Sequence, residues 1–146
     1  MLADKSKKRS TIFLAFVLIL ATGYYFIVSQ GSPSFRFSAE KRVFGFYGSK
    51  HTSAVFSLDT LEELRLYEGT ESDYGRPVEG GRLWGGYHYG TWENESLGVY
   101  EAYVSERFPT YMIARDGEKT AIFNAENAET TQAIYRQLHQ FWIENQ

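Results

Sequence analysis

The sequence predicts a mainly β domain of six to seven short strands, closed by one C-terminal α-helix and preceded by one N-terminal transmembrane helix. Three observations lead to this fold class. Residues 10–35 contain no charged side chain. Short runs rich in Phe, Tyr and Val follow, separated by turn residues. The C-terminal residues then change to a helical period. Such strands form a strongly bent antiparallel sheet or a barrel, with the helix over one open end.

The uncharged segment is long enough to cross a membrane. As a helix, residues 11–29 would extend about 28 Å, close to the ~30 Å hydrocarbon core of a bilayer. Four basic residues and one acidic residue lie in residues 1–10, so the positive-inside rule places that end in the cytoplasm. We therefore predict a cytoplasmic basic tail (1–10), a transmembrane helix (11–29), a linker (30–34) and an extracytoplasmic domain (35–146) of a single-pass cell-membrane protein.

A cleaved signal peptide is the alternative for the same segment. It would consist of the basic start, an apolar core at Ile12–Leu20 and a small-x-small site at Ala21-Thr22-Gly23. Against it, Tyr24–Val28 continues the apolar run with bulky residues, and its aromatic rings suit a membrane interface. Both interpretations export the same domain.

Composition narrows the chemistry of the exported part. About 115 residues are enough for one domain with its own core. The chain has no cysteine, which excludes disulfides, thiolate metal sites and a cysteine nucleophile. Residues 30–146 hold eleven basic and seventeen acidic residues, a net charge of −6. Such a domain is a poor partner for nucleic acid and for anionic lipid headgroups.

The predicted strands come in two groups around a long loop. Glu68–Leu83 holds four glycines and one proline and is predicted to be that loop. The first group is rich in Phe, Val and Leu, and the second in aromatic residues. The β-favouring segments from which six to seven strands are expected are Phe35–Phe37, Val43–Tyr47, Ala54–Leu58, Leu61–Tyr67, an aromatic segment through Tyr87 and Tyr89, Leu97–Ser105, Thr110–Ala114 and Thr120–Phe123. Asp116-Gly117 is predicted to close the last hairpin, because Asp-Gly is a strong hairpin signal.

The last element is predicted to be an amphipathic helix from about Ala128 to Ile143. Ile134, Leu138 and Phe141 recur at four- and three-residue spacing and should face the core. Asn127 precedes the helix as a natural N-cap.

Three pieces of the chain, in this order, carry a resemblance to a known family. They are "VFGFYG" followed by "TSAVFSLDTLEELRLYE", then "GGRLWGGYHYGTWENESLGVYEAYVS", and finally "TYMIARDGEKTAIFNAENAETTQAIYRQL". From about Arg42 to Leu138 the chain resembles the bacterial pleckstrin-homology-like (bacterial PH) domain family. The resemblance implies a PH-like fold attached to a membrane segment, and it does not imply an enzyme.

The residues themselves also predict no enzyme, no metal and no cofactor. His51, His88 and His139 are far apart in sequence, and no HExxH spacing, G-x-S-x-G elbow or phosphate-binding glycine loop is present. His88 alternates with Tyr87 and Tyr89 on one strand, and we expect it on the surface.

The most unusual chemistry is a glycine-aromatic stretch, in which Arg82, Trp84, Tyr87 and Tyr89 are the candidate binding residues. Large aromatic side chains beside glycines can form an exposed platform for a peptide or a glycan, with Arg82 as a polar anchor. The alternative is that Trp84, Tyr87 and Trp92 fill the core of a small barrel.

The predicted function is a non-catalytic, membrane-tethered interaction domain that binds an envelope protein or peptide and no nucleic acid. The alternative is a structural subunit of a membrane complex that assembles through its transmembrane helix. Two further functions are more remote. Lipid-headgroup binding is disfavoured because the first hairpin offers only Lys41, Arg42, Lys50 and His51 as basic or imidazole side chains. Catalysis is disfavoured because the sequence has none of the catalytic motifs considered above.

Overall fold

A computed structural model describes residues 14–22, 32–68 and 73–146. The chain divides into two units, Met1–Gln30 and Gly31–Gln146. In the first unit, residues 14–22 are helical (α1). Within the part of the chain that the structure describes, no helix is both long and apolar enough to span a bilayer. The predicted tail and both ends of the predicted span at 11–29 lie outside the described residues, so these remain predictions.

The described part of the second unit forms nine strands and one long helix. The strands are β1 (Ser34–Ser38), β2 (Val43–Tyr47), β3 (Ser53–Ser57), β4 (Glu63–Glu68), β5 (Arg76–Arg82), β6 (Tyr87–Asn94), β7 (Gly98–Ser105), β8 (Thr110–Asp116) and β9 (Lys119–Phe123), and the helix is α2 (Ala128–Glu144). A mainly β fold with one C-terminal helix is therefore confirmed, whereas the predicted number of six to seven strands is wrong.

The strands form two open sheets instead of a closed barrel. The small sheet has the order β1-β2-β3 and the large sheet the order β4-β8-β9-β7-β6-β5. The large sheet is not wholly antiparallel as predicted, because β7 and β9 run parallel. The chain reverses between β7 and β8 and again between β8 and β9, and β9 then lies between the other two strands. Because the chain changes direction twice, β9 runs in the same direction as β7.

Strand β5 corrects the predicted long loop at Glu68–Leu83. Among the described residues it is an edge strand with β6 as its one neighbour. Most of its side chains are exposed, so folding required no hydrophobic pattern there. Pro77 has no backbone N–H to donate. It is tolerated in an edge strand, because the outer side of such a strand has no neighbouring strand to accept hydrogen bonds. The pairing register shifts between Pro77 and Glu79, which is a β-bulge.

The large sheet carries a core cluster on each face. Met112 and Ala114 of β8 belong to one cluster, and Tyr111 and Ile113 belong to the other, as the two-residue alternation of a strand requires. The first cluster also receives the phenylalanines of the small sheet, of which Phe46 stacks on Phe123 with 5.0 Å between ring centroids.

Helix α2 and the last hairpin agree with their sequence predictions. The side chain of Asn127 accepts a hydrogen bond of 2.7 Å from the Thr130 backbone N–H and so caps α2. Leu138 is buried, and Ile134 and Phe141 pack against the first cluster. Strands β8 and β9 are joined by a two-residue turn in which Gly117 has φ 58°, a conformation that glycine adopts without steric cost.

Candidate functional site

The hairpin of β5 and β6 bends sharply where two glycines face each other. Gly80 pairs with Gly90, and their φ angles are +102° and +82°. A Cβ atom on Gly90 would lie 2.2 Å from the carbonyl oxygen of Glu79, so no other residue fits there. The bend brings His88 and Trp92 into a parallel stack with 4.1 Å between ring centroids. In a regular strand, residues four apart are separated by about 13 Å.

His88 is buried among aromatic rings, and the prediction that it lies on the surface is wrong. Its exposed fraction is 5%. Trp92 covers one face of the imidazole, and Tyr74 contacts it edge-on at 4.8 Å. Its Nδ1 atom is buried without a hydrogen-bond partner. The sequence does contain a signal for this burial. His88, Gly90 and Trp92 are spaced two residues apart and so lie on one face of the strand. If Trp92 is in the core, His88 faces the core as well.

A carboxylate from a distant part of the chain completes this cluster. Nε2 of His88 lies 3.0 Å from Oε2 of Glu106, and Arg82 forms an ion pair with the other oxygen of Glu106. Burial lowers the pKa of His88 more than the hydrogen bond and charge of Glu106 raise it, so the imidazole is neutral and Nε2–H donates to Glu106. Burial would raise the pKa of Glu106, but the hydrogen bonds from His88 and Arg82 outweigh this effect and lower it.

This cluster makes the stability of the domain depend on pH. Because the pKa of His88 is lowered in the folded state, the unfolded chain binds the proton more tightly, and the free energy of unfolding should fall as the pH drops below about 6.5. We expect urea unfolding at pH 7.5 and 5.5 to show a smaller loss for His88→Gln than for the unaltered protein. The control, His139→Gln on α2, should keep the full loss. An equal loss in the His88→Gln protein would contradict the prediction.

The four candidate binding residues do not all border the same cavity. Arg82 and Trp84 lie at the end of the β5–β6 hairpin, where Trp84 is 73% exposed. Tyr87 and Tyr89 are half-buried, and Tyr89 lines a different cavity. The alternative core role is correct for Trp92, which is buried, and not for Trp84.

The end of the hairpin, which we call the Trp84 tip (residues 82–86), borders a cavity of about 340 Å³. Glu106 and Arg107, from the connection between β7 and β8, form its other wall. Sequence reasoning missed both residues, since nothing in the local pattern indicates that this connection lies beside the tip. Among the described residues, no group of three or more His, Asp and Glu side chains is placed to hold a metal ion.

Comparison with known proteins adds no family assignment. The chain matches no protein family model, no curated protein and no solved structure. The resemblance to the bacterial PH family therefore remains a prediction from the sequence pieces given above.

Proposed function

We propose that this chain is a non-catalytic, single-pass membrane protein whose extracytoplasmic PH-like domain binds an envelope protein or peptide through the Trp84 tip. The observation that carries this proposal is the 73% exposure of Trp84 beside a cavity. Burying a large aromatic side chain against a partner contributes roughly 1.5–3 kcal/mol, and tryptophan and arginine are the residues most often found at the energetic centre of protein interfaces.

The charge around the tip indicates the character of the partner. Arg82 is paired with Glu106, and Arg107 lies next to Gly85, from which a Cβ atom would be 3.6 Å from the guanidinium. Two guanidinium groups and one carboxylate leave the tip locally positive within a domain of net charge −6. This arrangement suits a partner segment with an acidic residue next to an apolar side chain.

The tip is held in place before any partner binds. Leu83 N–H donates to the Tyr87 carbonyl at 2.7 Å, and Glu106 N–H donates to the Gly86 carbonyl at 2.9 Å. Gly85 and Gly86 have φ angles of +90° and +82°, which allow the tight reversal. A loop that is already ordered loses little conformational entropy on binding, and this raises its affinity.

The PH-like fold and the membrane anchor are supported by separate features. The anchor rests on the uncharged segment at residues 10–35 and the four basic residues before it. The PH-like assignment rests on the order of the three sequence pieces, together with a bent β domain in which α2 packs over the first core cluster. The same uncharged segment also supports the second candidate, a structural subunit that assembles with other membrane proteins through its transmembrane helix.

Photo-crosslinking in living cells tests this function. A photoreactive amino acid at position 84 of the full-length protein should capture one dominant envelope protein, whereas the same group at position 78 should not. Val78 is the matched control, because it is 58% exposed on β5 of the same hairpin. Trp84→Ala should then weaken binding of that partner by about tenfold, or 1–2 kcal/mol, without changing the free energy of unfolding.

Two results would contradict the proposal. One is equal capture at positions 78 and 84, which would mean that the tip has no special contact. The other is a partner that binds the full-length protein but not a version without residues 1–30, which would favour assembly through the membrane segment.

A further inference from the structure

A second cavity, of about 410 Å³, lies between the two sheets, and we call it the inter-sheet cavity. Its size falls within the usual range for small-molecule sites. One side consists of Lys50, Thr52 and Ser53, at or just before the start of β3. The other side is the face of β5, β6 and β7 that carries Glu79, Tyr89, Thr91, Glu101 and Tyr103. None of these residues borders the cavity at the Trp84 tip. The two cavities are therefore separate candidate sites.

A strained backbone places a lysine over this cavity. Lys50 has φ 58° and ψ 31°, and His51 has φ 60°. This left-handed region is unfavourable for residues other than glycine, and such strain is concentrated at functional sites. The conformation positions Nζ of Lys50 5.8 Å from the centre of the Tyr89 ring. A glycine at position 50 would relieve the strain, but it would remove the ammonium group that borders the cavity.

Two carboxylates and several hydroxyl groups line the rest of the cavity. Tyr103 donates a hydrogen bond of 3.0 Å to Oε2 of Glu101. Burial, and then the charge of Glu101, raise the pKa of Tyr103, so this phenol remains a neutral donor that orients the carboxylate. In the part of the chain that the structure describes, neither Glu79 nor Glu101 forms an ion pair.

These groups define which ligands suit the cavity. Two carboxylates against one ammonium group disfavour anions, and the polar lining disfavours a wholly apolar ligand. The ring of Tyr89 lines the cavity together with hydrogen-bond acceptors on Glu79 and Glu101, a donor on Lys50 and the hydroxyls of Ser53 and Thr91. A ligand with one apolar face and hydroxyl groups around its rim matches this pattern.

We propose that the inter-sheet cavity binds a neutral sugar ring. The C–H face of the sugar lies on the ring of Tyr89. Its hydroxyl groups donate to the carboxylates of Glu79 and Glu101 and accept from the ammonium group of Lys50. This site is independent of the Trp84 tip, so either proposal can fail alone.

Binding is tested with the full-length protein in lipid nanodiscs, because the headgroups of sugar-based detergents would themselves compete. The probes are glucose, N-acetylglucosamine, cellobiose and chitobiose at millimolar concentration, observed by saturation-transfer NMR and titrated by calorimetry. At least one should bind, and Glu101→Gln should weaken it about tenfold or more, since the amide keeps the shape but loses the charged acceptor. Glu118→Gln, on the exposed turn between β8 and β9, and Trp84→Ala should bind the sugar as the unaltered protein does.

Lys50→Gly separates loss of binding from loss of folding. It should weaken sugar binding while raising the midpoint of thermal unfolding, because glycine relieves the left-handed strain. The proposal is overturned if none of the four sugars binds, or if Glu101→Gln binds as tightly as the unaltered protein. It is also overturned if spermidine binds and the sugars do not, because the cavity would then be a site for cations.

Discussion

Replacing Leu138 by alanine is expected to lower the free energy of unfolding by about 2–5 kcal/mol. Leu138 is 1% exposed and belongs to the first core cluster, where α2 covers the large sheet. The truncation removes buried methyl groups and leaves a cavity in a cluster that also contains the rings of Phe44 and Phe123. Because alanine is the best helix former, the loss will report on packing and not on helix propensity.

Urea unfolding followed by circular dichroism measures this loss. Gln137→Ala is the matched control, since Gln137 is the neighbouring residue of α2 and is exposed. It should change the free energy of unfolding by no more than about 0.5 kcal/mol. A loss below about 0.5 kcal/mol for Leu138→Ala would mean that α2 does not cover a core.

Asn124→Leu is expected to cost about 3 kcal/mol, although it adds apolar volume to a buried position. Asn124 is fully buried at the end of β9. Its Oδ1 accepts from the Ser105 backbone N–H at 2.8 Å, and its Nδ2 donates to the carbonyls of Ser105 and Phe108 at 2.9 and 3.0 Å. Leucine leaves the Ser105 N–H buried without an acceptor and removes two further hydrogen bonds. These bonds fasten β9 to the chain reversal between β7 and β8.

Amide hydrogen exchange gives this prediction a local measurement. The Ser105 amide should lose protection in Asn124→Leu beyond the global loss of stability. Gln137→Leu is the control, because it replaces an amide by the same apolar side chain at an exposed position of α2, and it should change the stability by less than about 0.5 kcal/mol. A loss of unfolding free energy below about 1 kcal/mol for Asn124→Leu would show that the amide side chain is not needed to hold β9 against the chain reversal between β7 and β8.

Elements with a strong local signal could be predicted from the sequence. Helix α2 begins at Ala128 as expected, because an N-cap at Asn127 and apolar residues at helical spacing act within a few turns of one chain segment. The hairpin at Gly117 is equally local. Strand β5 could not be predicted, since its side chains are exposed and only its pairing with β6 makes it a strand.

The candidate site was only partly predictable for the same reason. The glycine-aromatic stretch was identified as unusual, and Arg82 and Trp84 do lie together on the surface. The positions of His88 and Tyr89, which belong to the same stretch, depend on the bend at Gly80 and Gly90. That bend turns His88 inward and leaves Tyr89 beside the inter-sheet cavity.

Local patterns in the chain were sufficient to predict a mainly β domain and the position of its terminal helix. Each depends on residues close together in the chain, whose periodicity and turn preferences act locally. The strand order, the parallel pairing of β7 with β9 and the partners of the site residues depend instead on contacts between segments that are far apart in the chain. Glu106 reaches His88, and Lys50 reaches Tyr89, because strand pairing brings distant segments together, and no local pattern records which strands become neighbours.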